Sequence, residues 1–159
     1  MSDLSPIGAA PAAAAGSASS APARDPDCIF CKIVAGELPA TIVAADERTI
    51  TFMDINPATR GHALVVPRRH TRDLLSIDYD DLAAVALGAA QLAARMPERL
   101  GAAGVNLINS CGAAAWQTVF HFHMHVIPRY EDDPLRLPWT PTLGDPAEIE
   151  AAARALGTI

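Results

Sequence analysis

The sequence predicts an α+β domain: an antiparallel sheet of about five strands, one long helix and short flanking helices. Three observations predict it. Five short segments rich in β-branched or aromatic residues are bounded by turn formers, and several follow one another as hairpins. One stretch from Asp78 to Met96 carries apolar residues at helical spacing. His121-Phe-His123-Met-His125-Val-Ile alternates imidazole and apolar side chains, which is the period of a strand and not of a helix.

Residues 1–26 are Ala, Pro, Ser and Gly with few large apolar side chains. Such a segment cannot bury enough surface to offset its ordering entropy, so a disordered tail is expected. It lacks a basic start and an unbroken apolar run, and does not read as a signal peptide. The domain is expected over 27–159, with its core at 27–130 and a Pro-rich extension from 131. Cys28-Ile-Phe-Cys31 opens it, followed by a helical turn that ends at Gly36. Strands are expected at 41–44 and 49–53 across the Asp46-Glu47-Arg48 turn, and at 62–66, stopped by Pro67. Residues 54–61 between them read as a loop. In the long helix Leu82, Val85, Ala86, Ala89, Leu92 and Ala93 share a face. Ser76 or Asp78 can cap its start, and Pro97 stops or kinks its end. A fourth strand follows at 104–109, a loop at 110–115, and then the histidine-bearing strand, with Phe120, Phe122, Met124 and Val126 as its apolar underside. A short helix at 146–156 closes the chain.

The net charge of −6 argues against a general nucleic-acid binder. An odd number of cysteines with one close pair is a poor disulfide framework and fits a reducing compartment. No apolar run approaches the roughly 18–20 residues of a membrane span. A cytoplasmic protein with no membrane and no nucleic-acid partner is expected.

The chemistry concentrates in five histidines and three cysteines. At a rise of about 3.3 Å per residue, His121 and His125 stand roughly 13 Å apart along a strand, too far to share one metal ion. The three rings therefore do different work. Cys28 and Cys31 are spaced for a tetrahedral zinc that needs two more ligands, although a redox pair and chance remain open on spacing alone. His70, just past a strand end, and His121, the first of the three, would complete a Cys2His2 clamp, one structural zinc per chain. Cys111 is left over as a small thiol. A nucleophilic imidazole needs one nitrogen free and the other held as N–H. His123, flanked on its own face by both others, is the best candidate. His125 can steady charge on a substrate oxygen, and Asn109, Gln117 and Thr118 can complete a phosphate cradle.

Cys-Ile-Phe-Cys-Lys-Ile-Val at 28–34, Asp-Ile-Asn-Pro at 54–57, Gly-His-Ala-Leu-Val-Val-Pro-Arg-Arg-His at 61–70 and Gln-Thr-Val-Phe-His-Phe-His-Met-His-Val-Ile-Pro-Arg at 117–129 together resemble the histidine triad (HIT) superfamily, most closely its nucleotide-binding, purine nucleoside phosphoramidase branch. The resemblance implies that His123 is the nucleophile, and that Cys28, Cys31, His70 and His121 bind zinc. It also implies that His62 and His125 line the α-phosphate site, that Asp54, Asn109, Gln117 and Thr118 contact ribose or phosphate, and that Ile55 flanks the purine. The implied activity cleaves AMP from a phosphoramidate or an acyl- or amino-linked AMP through a histidyl-AMP intermediate. A diadenosine polyphosphate hydrolase or phosphorylase, or a nucleotide-binding module with little turnover, is the alternative. The implied assembly is a homodimer whose sheets join across the interface. Two departures stand out. Trp116 occupies a position where the family usually has glycine. Trp139 is displaced from the C-terminal aromatic that reaches the partner's site, and packing on its own domain is its other reading.

Overall fold

The run Ala63-Leu-Val-Val-Pro67 decides the architecture, because a strand with no polar face must be covered on both sides. All five of its residues are buried. The structure, a computed structural model, describes residues 24–157. The expected N-terminal tail lies outside the described residues up to residue 23. Arg24 already pairs with Glu37, and the Asp25 N–H points at the Cys31 sulfur at 3.4 Å.

The strands are β1 (Ile42–Ala45), β2 (Thr49–Met53), β3 (Ala63–Pro67), β4 (Gly104–Ile108) and β5 (Met124–Arg129). They form one sheet in the order β1-β2-β3-β5-β4, antiparallel throughout. The helices are α1 (Ile29–Val34), α2 (Tyr79–Leu100) and α3 (Pro146–Leu156). The expected α+β class, strand number and single long helix are therefore observed. Helix α2 covers one face of the sheet, where Val85, Ala89 and Met96 pack with Val65, Phe122 and Val126. On the other face Phe30 and Cys31 of α1 pack with Cys28, Ile50, Phe52, Leu64 and Val66.

The histidine-bearing strand is shorter than expected. It begins at Met124, so of the three histidines only His125 lies in it. The reason is local: the Phe122 N–H donates at 2.6 Å to the Thr71 carbonyl in the loop after β3, not to a strand partner. The alternation nevertheless survives. Phe122 and Val126 face α2, while the rings of His121 and His123 stand edge-on to Phe30 on the opposite face. Phe120 leaves the apolar underside and is exposed, with the Arg72 guanidinium 4.5 Å from its ring centre.

Helix α2 also runs past Pro97 to Leu100. Proline in a last turn removes a single N–H, and the helix closes on Gly101 at φ 70°, whose N–H bonds to the Pro97 carbonyl while Ala102 bonds to that of Met96. Asp78, not Ser76, caps the start, accepting from the Asp80 N–H at 2.9 Å. Helix α3 spans the expected residues, none of them buried. Among the described residues no helix is long and apolar enough to cross a membrane.

Candidate functional site

Three separate elements bring the metal-ligating types together. Cys28 and Cys31 start α1, His70 follows β3, and His121 precedes β5. Their ligand atoms all lie within 4.8 Å of one another. The Nδ1 of His121 is 3.5 Å from the Cys28 sulfur and 3.6 Å from that of Cys31, and the Nδ1 of His70 is 3.3 Å from Cys31. Tetrahedral zinc, with bonds of about 2.3 Å to sulfur and 2.0–2.1 Å to nitrogen, places such ligand atoms roughly 3.5 Å apart, so this donor set fits it. The protonation pattern fits as well. His121 Nε2 lies 2.9 Å from the Pro67 carbonyl, which accepts only from an N–H, so Nδ1 carries the free lone pair. Burial pushes the His121 pKa down to about 4, keeping the ring neutral, and burial raises the Cys31 thiol, which a cation would reverse.

His123 is buried, and its Nδ1 lies 2.7 Å from the carbonyl oxygen of His121. That oxygen also accepts only from N–H, so Nδ1 is protonated and Nε2 is left with an unshared pair. A second chain of bonds fixes its neighbours. The Ala58 N–H donates at 3.0 Å to His62 Nδ1, so the proton of neutral His62 sits on Nε2. From there it bridges to His125 Nδ1 at 2.9 Å, leaving His125 with its proton on Nε2. Burial drives all three rings below the ordinary histidine value, His125 to about 4. Asp54 approaches the relay, 3.6 Å from His62 and 4.0 Å from His125. The trio Asp54, His62 and His125 is also close enough to surround a cation. Ala58 occupies the other nitrogen of His62, however, so a metal on Nε2 would demand an imidazolate, and the relay is the better description of the cluster.

A cavity of about 540 Å³ opens over His123 and His125. Phe30, Ile33, Phe52 and Ile55 give it an apolar lining, and Asp54 and Thr118 also lie on its wall. Ile55 is 90% exposed there. Asn109 and Gln117 are placed differently. Asn109 donates from Nδ2 to the His123 carbonyl at 2.9 Å, while its Oδ1 is buried with no hydrogen-bond partner among the described residues. Gln117 is buried and spends its carboxamide on the loop: Oε1 accepts from the Gly112 N–H, and Nε2 donates to the carbonyls of Arg72 and Val119. Trp116, between them, has φ 69° and ψ 17° and is 68% exposed. It is the one non-glycine residue at positive φ among those described, a conformation that costs an L-residue roughly 1–2 kcal/mol. Trp139 is 63% exposed. Cys111 is half-buried.

Sequence reasoning missed the residues that act through their backbone or through packing. The Ala58 amide sets the tautomer of His62, and the Thr59 hydroxyl, bonded to the Pro128 carbonyl, holds that loop against β5. Gly61, at φ 93°, lets the loop pass α2: a Cβ there would fall 2.5 Å from Leu100 Cδ1. Phe30 braces both His121 and His123, with ring centres 6.0 and 5.2 Å away. The available signal was its position inside the cysteine pair.

A family model described as "HIT domain" matches residues 35–132. A HIT-like protein of Mycobacterium tuberculosis is 42% identical over 130 residues, 81% of this chain and 90% of that protein. Among solved structures, a zinc-bound histidine triad family protein from Mycobacterium smegmatis has a TM-score of 0.67 at 37% identity, covering 80% of this chain and 98% of that one. A histidine triad nucleotide-binding protein from Candida albicans has a TM-score of 0.71 at 28% identity, covering 82% and 94%.

Proposed function

The chain belongs to the HIT domain family, and on that premise we propose that it cleaves AMP from a phosphoramidate, or from an acyl- or amino-linked AMP, through a covalent His123–AMP intermediate. The observation that carries this reading is the bond from His123 Nδ1 to the His121 carbonyl, which leaves Nε2 free, with the His125 ring centre 4.9 Å away. Attack by Nε2 forms a nitrogen–phosphorus bond and breaks the bond from phosphorus to the leaving nitrogen. The leaving nitrogen departs as the amine with a proton taken from solvent, while the His125 Nε2–H donates a hydrogen bond to the phosphoryl oxygen and steadies its charge. Water then attacks phosphorus and releases a proton to solvent, and the nitrogen–phosphorus bond breaks to release AMP. The purine packs on the apolar lining of the cavity beside Ile55, and Asp54 meets the ribose. Asn109 Oδ1 accepts from a substrate hydroxyl, Thr118 donates to phosphate, and Gln117 holds the loop that presents them. His62 sets the proton on His125.

Cys28, Cys31, His70 and His121 hold one zinc per chain in this reading, a role supported by the donor set and by the zinc-bound relative. The ion, when bound, ionises the thiols and fixes the His121 ring. The chain acts as a homodimer: β4 is an open edge with Leu107 and Ile108 exposed, and pairing there joins two sheets into one. Incubation with a fluorogenic AMP phosphoramidate tests the activity, and no release at high enzyme concentration would sink it. Adenylate is expected to be trapped on the wild type and not on His123→Ala; equal labelling would mean that another residue is the nucleophile.

A further inference from the structure

A second cavity, of about 240 Å³, lies on the α2 side of the sheet, between the C-terminal half of that helix and strands β1, β2 and β3. Val43, Met53, Ala63, Leu92, Met96 and Leu100 line it, and no carboxylate does. An apolar cavity of about 150 Å³ is enough to hold benzene. This one has room for a longer hydrocarbon chain. Its remaining lining is Gly61 and two arginines, Arg95 and Arg99.

Those arginines are unlike the others. Every other described arginine meets a carboxylate or a backbone carbonyl: Arg24, Arg48, Arg69, Arg72, Arg129 and Arg154 the former, Arg60, Arg68 and Arg136 the latter. Arg95 and Arg99 meet neither among the described residues. They are both exposed and stand one turn apart on α2, on the same side of the helix. Exposed arginines that line an apolar cavity lay their stems along it and keep their charged heads at the water boundary. In a chain of net charge −6, two unpaired guanidinium groups beside such a cavity mark a place for a ligand that is apolar at one end and anionic at the other.

We propose that this cavity binds a medium-chain carboxylate, its hydrocarbon chain against Met53, Ala63, Leu92 and Leu100 and its head group between Arg95 and Arg99. The site stands apart from the phosphoryl-transfer reading, but it adjoins the relay. Met53 ends β2, Ala63 opens β3, and Gly61 lies just before it, so both ends of the 54–62 loop border the cavity. Their immediate neighbours, Asp54 and His62, are members of the relay on the opposite face. A chain seated in the cavity therefore touches both anchors of the loop that holds His62.

Calorimetric titration of the full chain with octanoate, 1-octanol and acetate tests chain and head group separately. Octanoate is expected to bind about five- to tenfold more tightly than octanol, and acetate not to bind. The double variant Arg95→Gln/Arg99→Gln, altered only at exposed positions, is expected to bring octanoate down to the octanol value and to change octanol less than about twofold. Leu92→Phe, which fills the cavity from the helix side, is expected to abolish binding of both. In NMR spectra the amides of Gly61 and Ala63 are expected to shift with octanoate in the wild type. Equal affinity for octanoate and octanol, octanoate binding unchanged in the double variant, or no binding to the wild type would overturn the proposal. So would a fall in oligomeric mass in the double variant, which would assign this face to a second copy of the chain.

Discussion

At His125, the two ring nitrogens have opposite duties, one accepting from His62 and the other free to donate, and burial holds the ring neutral with a pKa of about 4. Burial lowers His123 in the same direction. A nucleophile has to be unprotonated, so the acid limb of kcat/KM is expected below the ordinary histidine value of about 6.5. The profile should stay level from pH 8 through 6.5 and fall only beyond it; a half-maximum at 6.5 would contradict the burial argument. Stability follows the same sign. Between about 6.5 and about 4 the unfolded chain binds a proton at residue 125 that the folded chain refuses, so this contribution is full above 6.5 and is lost as pH falls toward 4. His123 was legible in the sequence as the middle of three evenly spaced rings. The relay behind it was not. Half of it is the amide of Ala58, and no side-chain pattern announces where a backbone N–H will point.

Among the elements, those whose signal is periodic burial were legible: α2 from its apolar face, β2 and β3 from their apolar runs, α3 to its ends. The misjudged stretch was the one whose chemistry outranks its periodicity. His121 is drawn toward the two cysteines and Phe122 bonds to Thr71, so regular pairing starts three residues late although the two faces keep their order. Edge strand β4 raises the opposite problem, because Leu107 and Ile108 are exposed and the outer side of β4 pairs with no strand among the described residues. Lysine at both positions is expected to blunt strand pairing. Light scattering should then fall from about twice the 16.7 kDa chain mass to a single chain; a wild type that is already monomeric would remove β4 as the interface.

For the molecule as a whole, the Cys2His2 cluster joins segments 39 and 93 residues apart in sequence and secures the first described turn to the sheet. Elemental analysis should find about one zinc per chain, and Cys28→Ser should lose it together with a Tm decrease of several degrees. Metal-free protein of unchanged stability would refute the clamp. His121 then carries a consequence of its own. Its ring belongs to the cluster, while its backbone carbonyl aims His123. Damage therefore propagates one way. His123→Ala should keep a full complement of zinc and no turnover, whereas Cys28→Ser should lose zinc and with it much of kcat, at little change in KM. Zinc content then sets an upper bound on the number of working chains in a preparation, and never their actual count.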